Sequence, residues 1–406
     1  MSYSVFETFV GAGGSHLGFK NNGFKSIFVN DIDENCIKTL LFNNPEIKQT
    51  ALVNIGDMRL LNANDILNKL RVNKKDIDVM FGGIVCKGFS LAGERSPNDP
   101  RNTFYRYQLN LVSEIQPKIS IIENVPGIIN SLILKKDTPN EIKNQVDEVW
   151  QDIENYKGEK AQARKENKIT KEIVIRGENL RKRKNEITKL LEKNECLISV
   201  YEDIQSIYKT IGYNLYKQVL NSASYGSYTK RERVIIVAVR SDIKDEFIFP
   251  IPIYNDEKDY KTVGDALKLI DYSNKDDEDN RPMNHALKTV ERLKYLKEGQ
   301  NIVEIMDKLP NELKISKFYS RGSTMRLDST KPSPTLVPGH SNFPIHPFEN
   351  RSITVREAAV ITGFPLNYKF FGNHTKRCEQ VGNAVPIELS TALAKSCKDF
   401  LDKISN

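Results

Sequence analysis

The chain has 406 residues, of which 39% are hydrophobic and 28% charged, with a formal net charge of +7. That length can bury a full core and divide into two domains, and the composition is that of a soluble globular protein. The longest strongly apolar run, Val234 to Val239, is far short of the roughly 20 residues that cross a bilayer, which excludes it as a membrane span.

The first 125 residues alternate short β-branched runs with helical patterns, the signature of βαβ units and a parallel sheet. Strands are predicted at Ser4–Thr8, Ser26–Asn30, Ile77–Met80 and Ile119–Ile122, with a fifth at Val234–Val239. Between Lys135 and Tyr208 the character changes. Ile142, Val146, Val149, Ile153 and Tyr156 recur at helical spacing, and so, less strictly, do Leu180, Ile187, Leu190, Leu197, Tyr201, Ile204 and Tyr208. Two amphipathic helices joined near Gly158 to Arg176 fit this, as an antiparallel hairpin inserted at about 135–208. Such an arm is more often a solvated structural feature than a binding one. Arg181-Lys182-Arg183-Lys184 supports the alternative of contact with DNA or a partner. Residues 246–349 are irregular and rich in Pro and Asp, which reads as a second, smaller domain after a first at 1–245. Helical patterning resumes from Ile353 to Gly363 and again from Ile387 to Ile404.

Four features carry chemistry. Phe9-Val10-Gly11-Ala12-Gly13-Gly14 follows a predicted strand and opens a helix, which allows close backbone approach to a ligand. It is not the full dinucleotide fingerprint. Asp31 ends the next strand, where an acidic side chain can hold ribose hydroxyls, and Asp57 can accept from an adenine amino group. A glycine turn alone is as often only a turn; with two acidic residues at successive strand ends it points to an adenosine-bearing ligand without a pyrophosphate. Cys86 follows Phe81-Gly82-Gly83 in a glycine-flanked turn, the setting of a reactive thiol rather than a buried structural one. The other cysteines, Cys36, Cys196, Cys378 and Cys397, lie far apart with no Cys-x-x-Cys pair, so neither a disulfide framework nor a metal site is indicated. Glu123 closes an apolar strand, where burial of a carboxylate without purpose is costly. Arg231 and Arg233, two apart on an extended segment, face the same side. The first residues lack the basic head of a secretory signal, so a cytoplasmic location is expected. The positive charge suits a polyanionic partner, although many basic proteins bind no nucleic acid.

In this order the blocks resemble the cytosine-C5 DNA methyltransferases of bacterial restriction–modification systems. The resemblance includes Asn221 to Gly226 before Arg231 and Arg233, Arg326-Leu327-Asp328 with Pro332 to Leu336, Thr354 to Ala359 before Gly363-Phe364-Pro365, and Gln380 to Pro386. It implies a Rossmann-like mixed α/β sheet with a smaller DNA-recognition domain at 246–349, and residues 350–406 returning to the catalytic domain. It implies S-adenosylmethionine as cofactor, surrounded by Phe9, Gly11, Gly13, Gly14, Leu17, Asp31, Ile32, Asp57, Met58, Gly83, Asn383 and Val385. Cys86, Glu123, Arg231 and Arg233 are the implied catalytic set, and Lys87, Ser90, Arg326 and Thr335 the implied DNA contacts. Duplex DNA is the implied partner of a monomeric enzyme, with a cognate endonuclease acting separately.

The chemistry asks for these groups. Cytosine C5 is too poor a nucleophile until a thiolate adds to C6. The charge built toward N3 calls for the Glu123 carboxyl, and Arg233 is implied to bond the cytosine O2. The base must leave the stack, and Lys87 to Asn102 reads as the loop that closes over it. The chain departs from the usual Pro-Cys-Gln with Val85-Cys86-Lys87, from a usual glutamine with Thr229, and from a more common aspartate with Glu7. Two other readings stand beside the first. The tRNA-methylating branch of the fold is disfavoured because its Cys-Phe-Thr tripeptide is lacking. A non-enzymatic DNA-binding relative is supported only by the altered Pro-Cys-Gln block.

Overall fold

The early alternation of β-branched and amphipathic runs becomes β1 (Ser4–Thr8), α1 (Gly14–Asn21), β2 (Lys25–Asp31), α2 (Glu34–Asn43), α3 (Ile47–Thr50), β3 (Leu52–Ile55), α4 (Ala63–Leu70), β4 (Val79–Gly83), α5 (Phe104–Ile115) and β5 (Ile119–Asn124). The insertion contributes β6 (Leu132–Leu134), α6 (Asn140–Lys165), α7 (Lys171–Lys193), β7 (Leu197–Ser199) and α8 (Val200–Thr210). The chain continues through β8 (Tyr213–Asn221), β9 (Thr229–Lys230), β10 (Glu232–Arg240), α9 (Val263–Leu267), α10 (Leu287–Leu293), β11 (Ser333–Pro334), α11 (Val355–Thr362), α12 (His374–Asn383) and α13 (Ile387–Ser405). The structure, a computed structural model, describes residues 2–84, 96–166, 168–315, 324–337 and 343–405. No described helix is long and apolar enough to cross a membrane.

Among the described residues seven strands form one sheet in the order β3-β2-β1-β4-β5-β10-β8. The pairs β2–β3, β1–β2, β1–β4 and β4–β5 are parallel, and β10–β8 is antiparallel. Every residue of β5 is buried, as expected of a strand covered on both faces. One face is sealed by α1 and α13, whose Phe19, Leu389, Leu393, Cys397 and Leu401 share a cluster with Val5, Phe81, Ile121 and Val237. The final helix therefore returns to the sheet. The strand order reverses beside β1, so the carboxyl ends of β1 and β4 lie at the switch point, where sheets of this kind bind ligands.

The chain forms two compact units: Met1–Ile84, Leu111–Glu123 and Tyr213–Asn406 in one, Val85–Asn110 and Asn124–Gly212 in the other. This division differs from the one read from composition, because 246–349 belongs with the sheet. Val263, Ala266 and Leu267 of α9 share a buried cluster with Ala12, Leu17, Ala358 and Phe364. A smaller local core holds Leu293, Ile302, Ile305, Met306 and Ile345. With so few regular elements the segment borrows part of its buried surface from the sheet unit.

In the second unit α6 and α7 form the antiparallel hairpin. Arg183 pairs with Glu148 and Asp152 at 2.9 and 2.6 Å, while Arg176 reaches Glu159 at 2.6 Å. The apolar faces meet through Val146, Trp150, Ile153, Leu180, Ile187 and Leu191. The turn is tighter than expected: α6 runs on through Gly158, and α7 starts early enough to include Gly177, against which Tyr156 rests. The second pattern is two helices rather than one. Glu195 takes a left-handed φ of 50°, and Ser199 caps α8 with Glu202.

Gly18 lets α1 lie on α13, since a Cβ there would fall 2.6 Å from the Ser390 Cβ. Gly18→Ala should cost about 1–3 kcal/mol by overpacking. Gly158→Ala, whose added Cβ meets nothing within 4 Å, should instead gain up to about 1 kcal/mol of helix propensity. Urea denaturation midpoints of the two variants should move in opposite directions.

Candidate active site

The loop after β1 is built from left-handed backbone: Phe9 has a φ of 53°, Gly11 of 56° and Gly13 of 97°. For a bulky residue such as Phe9 that conformation is strained, a feature common beside ligands. The Gly11 N–H donates to Asp31 Oδ2 at 2.9 Å and the Asp33 N–H to Oδ1 at 2.9 Å. Burial pushes the Asp31 carboxyl above the ordinary carboxylate range, with those two amides opposing the shift. A Cβ on Gly11 would meet nothing within 4 Å, so open space lies over this loop. Ile32 beside it leaves 69% of its surface exposed, an uncovered apolar face next to a half-buried carboxylate.

Neighbouring loops are tied to this one. The Asn30 amide donates to Asn54 Oδ1 at 2.8 Å and to the Gly56 carbonyl at 2.9 Å. Asp57 receives the Arg59 guanidinium, which holds its carboxyl below the usual range. Met58 and Leu17 are buried, Leu17 within the cluster that holds Ala12. Glu7 is fully buried and takes up both Ser15 Oγ and His16 Nδ1 at 3.0 Å, at the start of α1.

The C-terminal segment closes over the loop. A Cβ on Gly14 would stand 2.6 Å from the Val385 carbonyl oxygen, so only glycine admits that approach. Asn383 is exposed while Gly382, Ala384 and Val385 are buried. Tyr368 donates to the Ala12 carbonyl at 2.6 Å. The sequence reading missed Tyr368; its one signal was the position of an aromatic just after Gly363-Phe364-Pro365.

At the next strand ends, Gly83 pairs with Glu123 in register. A Cβ on Gly83 would lie 3.7 Å from both Glu123 Oε2 and the Phe9 carbonyl oxygen, so the carboxylate and the β1 loop flank one glycine. Glu123 Oε1 meets Arg233 Nε at 2.7 Å, with each side chain only 9% exposed. Arg233 is the second residue of β10, and its Nη1 also donates to the Glu232 carbonyl at 2.7 Å. Arg231 is buried too. It donates to the carbonyls of Gly382 at 2.6 Å and Asn383 at 3.4 Å, bracing the segment that covers Gly14.

The structure thus gathers Phe9, Gly11, Gly13, Gly14, Asp31, Gly83, Glu123, Arg231, Arg233, Asn383 and Val385 at one edge of the sheet. Cys86, Lys87 and Ser90, with the first part of the expected closing loop, lie outside the described residues. Arg326 departs from its expected role. Its guanidinium is buried and donates to the carbonyls of Leu293, Leu296, His346, Pro347 and Glu349 and to Asn350 Oδ1. With its donors spent on the chain itself, Arg326 organises the irregular segment instead of reaching DNA. Thr335 donates to the Lys230 carbonyl at 3.3 Å at a more open position.

The family model of the C-5 cytosine-specific DNA methylase matches residues 3–149 and 187–399. The chain belongs to that family. The enzyme therefore transfers methyl groups to C5 of cytosine in DNA. It is 30% identical to the Type II methyltransferase M.Eco47II of Escherichia coli over 413 residues, covering 99% of this chain and 80% of that enzyme. It is 27% identical to M1.HphI of Haemophilus parahaemolyticus over 98% of this chain and 87% of that enzyme. A crystal structure of a prophage-encoded DNA modification methyltransferase from E. coli shares the fold with a TM-score of 0.63 at 24% identity, covering 99% and 100% of the two chains. The stretch the family model leaves out, 150–186, begins within α6 and ends within α7.

Breaking a buried ion pair typically costs about 3–5 kcal/mol, because the partner left behind is an uncompensated charge. Arg233→Met should lose that much in chemical denaturation, and Glu123→Gln should lose somewhat less. The double variant should be less destabilised than the sum by about 2–3 kcal/mol; simple additivity would show that the pair is not coupled.

Proposed function

We propose that the enzyme takes its methyl group from S-adenosylmethionine and works through a transient bond between Cys86 and C6 of an extruded cytosine in duplex DNA. The observation that carries this reading is the buried Glu123–Arg233 pair beside Gly83, one residue column away from the β1 loop. The donor set suits the cofactor. Asp31 offers a desolvated carboxylate to a ribose diol, Ile32 an apolar face to a purine, and the space over Gly11 room for both. Bound there, S-adenosylmethionine supplies an electrophilic methyl carried on a sulfonium.

The protein's own groups do the rest. The Cys86 thiolate adds to C6, and the ring electron pair moves toward N3, where the Glu123 carboxyl provides a proton or hydrogen bond. Arg233 holds the cytosine O2 while its Nε keeps Glu123 oriented. Arg231 acts at one remove, fixing Gly382 and Asn383 over the cofactor loop. When C5 has been substituted, a base removes its proton and the C6–S bond breaks, returning the thiolate. The segment 246–349 reads the DNA sequence, with base edges in the major groove as its code and Thr335, Lys87 and Ser90 at the DNA. The enzyme acts as a monomer on DNA in the cytoplasm, protecting sites from a separate endonuclease, a role supported by the names of its relatives.

Bisulfite sequencing of DNA from cells expressing the protein should show one methylated sequence context; uniformly unmethylated DNA would overturn the reading. Duplexes carrying 5-fluorocytosine in that context should trap a denaturation-resistant complex, because fluorine cannot leave as a proton does. Cys86→Ala should bind the same duplex without trapping it, and trapping by the alanine variant would remove Cys86 as the nucleophile.

Asp31→Asn should weaken S-adenosylmethionine binding about 10- to 100-fold, the loss of charge-assisted acceptor bonds. Because burial raises the Asp31 carboxyl, protonation abolishes the acceptor at a higher pH than for an ordinary aspartate. Calorimetric affinity should therefore fall as pH is lowered through a midpoint above the usual aspartate value, and the asparagine variant should lack that step.

A further inference from the structure

A two-residue ladder joins the segment proposed to read DNA to the short strand that leads into Arg231 and Arg233. β9 (Thr229–Lys230) runs directly into Arg231 and Arg233, and β11 (Ser333–Pro334) pairs with it in parallel, Ser333 opposite Thr229 and Pro334 opposite Lys230. So short a ladder is weak in itself, and one of its four residues is a proline, which has no N–H to give. Side-chain hydroxyls take over. Thr229 Oγ1 stands 3.1 Å from the Ser333 carbonyl oxygen and 3.3 Å from that of Pro334, one hydroxyl hydrogen serving both. Thr335 Oγ1 donates back to the Lys230 carbonyl at 3.3 Å, and the Ser333 N–H donates to the Tyr228 carbonyl at 2.8 Å.

The clasp continues toward the base pocket. Ser222 Oγ donates to the Thr229 carbonyl at 2.6 Å and accepts from the Arg231 N–H at 3.1 Å. Ser222, Thr229 and Ser333 are all buried, Thr229 with 2% of its surface exposed. An unbroken set of hydrogen bonds thus runs from Pro334, next to Thr335, to the backbone amide of Arg231. Of this set, Thr229 is the side chain that reaches across the ladder from β9. It also stands where the sequence departs from the family's usual glutamine.

We propose that Thr229 is a positioning residue that sets the register between the DNA-reading segment and the arginines of the base pocket. This rests on the function proposed above. Loss of the hydroxyl leaves Glu123, Arg233 and the cofactor loop intact, so it acts on engagement of the duplex and not on the chemistry.

The test is steady-state transfer of tritiated methyl from S-adenosylmethionine to unmethylated plasmid DNA by wild type, Thr229→Val and Thr229→Ser. Valine keeps the shape and removes the hydroxyl; serine restores it. The valine variant should raise KM for DNA about 5- to 10-fold, the weight of a hydrogen bond or two. Its kcat and its KM for S-adenosylmethionine should stay within about twofold of wild type, and serine should recover most of the change. Unchanged kinetics in the valine variant would overturn the proposal. So would a parallel loss in both KM values and kcat with a lowered Tm, which marks general loosening. If wild type itself transfers no methyl, the function proposed above fails and takes this inference with it, an outcome plainly distinct from an active enzyme indifferent to Thr229.

Discussion

A carboxylate and a guanidinium 2.7 Å apart, each side chain nine-tenths withdrawn from water, set the demands on everything around them. Neither charge could be desolvated alone. Their pairing requires the end of β5 and the start of β10 to be neighbours, and so requires β10 to run against β5. The Arg240 N–H donating to the Lys118 carbonyl at 3.0 Å marks the other end of the same alignment. The antiparallel strand in an otherwise parallel sheet is what brings an arginine to the edge where the parallel strands all end. That edge is also where the strand order reverses and where the glycine loop opens, so loop and pair share one location for a topological reason.

The second constraint is closure of the β1 loop by chain distant in sequence. Gly14 admits Val385, Tyr368 holds the Ala12 carbonyl, and Arg231 holds Gly382 and Asn383. Residues near positions 12, 231, 368 and 383 thereby become one rigid wall. A buried arginine that spends its donors on backbone carbonyls is costly to place but hard to move, which suits a part that must keep its geometry while DNA comes and goes. Arg326 follows the same logic in the irregular segment, where six oxygens around one guanidinium stand in for the missing secondary structure.

The helical hairpin belongs to the second unit. Its core of Trp150, Ile153, Leu180 and Ile187 is its own, its basic run is partly neutralised by Glu148 and Asp152, and the family model passes over its outer part.

Periodicity and block order in the sequence determined a great deal: the alternation that builds the parallel strands, the two hairpin helices, the C-terminal helix, and the family with its glycine turn, Asp31, Glu123 and Arg233. These are local signals, each written in a few consecutive residues whose side chains must face one way. Edge strands β3 and β8 escaped because edge positions are half exposed and carry no clean alternation. The tertiary structure alone decided what depends on distant partners. It placed 246–349 with the sheet unit, since shared burial is invisible to composition. It turned Arg326 from an expected DNA contact into an internal brace, and gave Thr229 a partner across the ladder. A guanidinium or hydroxyl in a sequence advertises the bonds it can make, but only the folded chain determines which acceptors come within 3 Å of it.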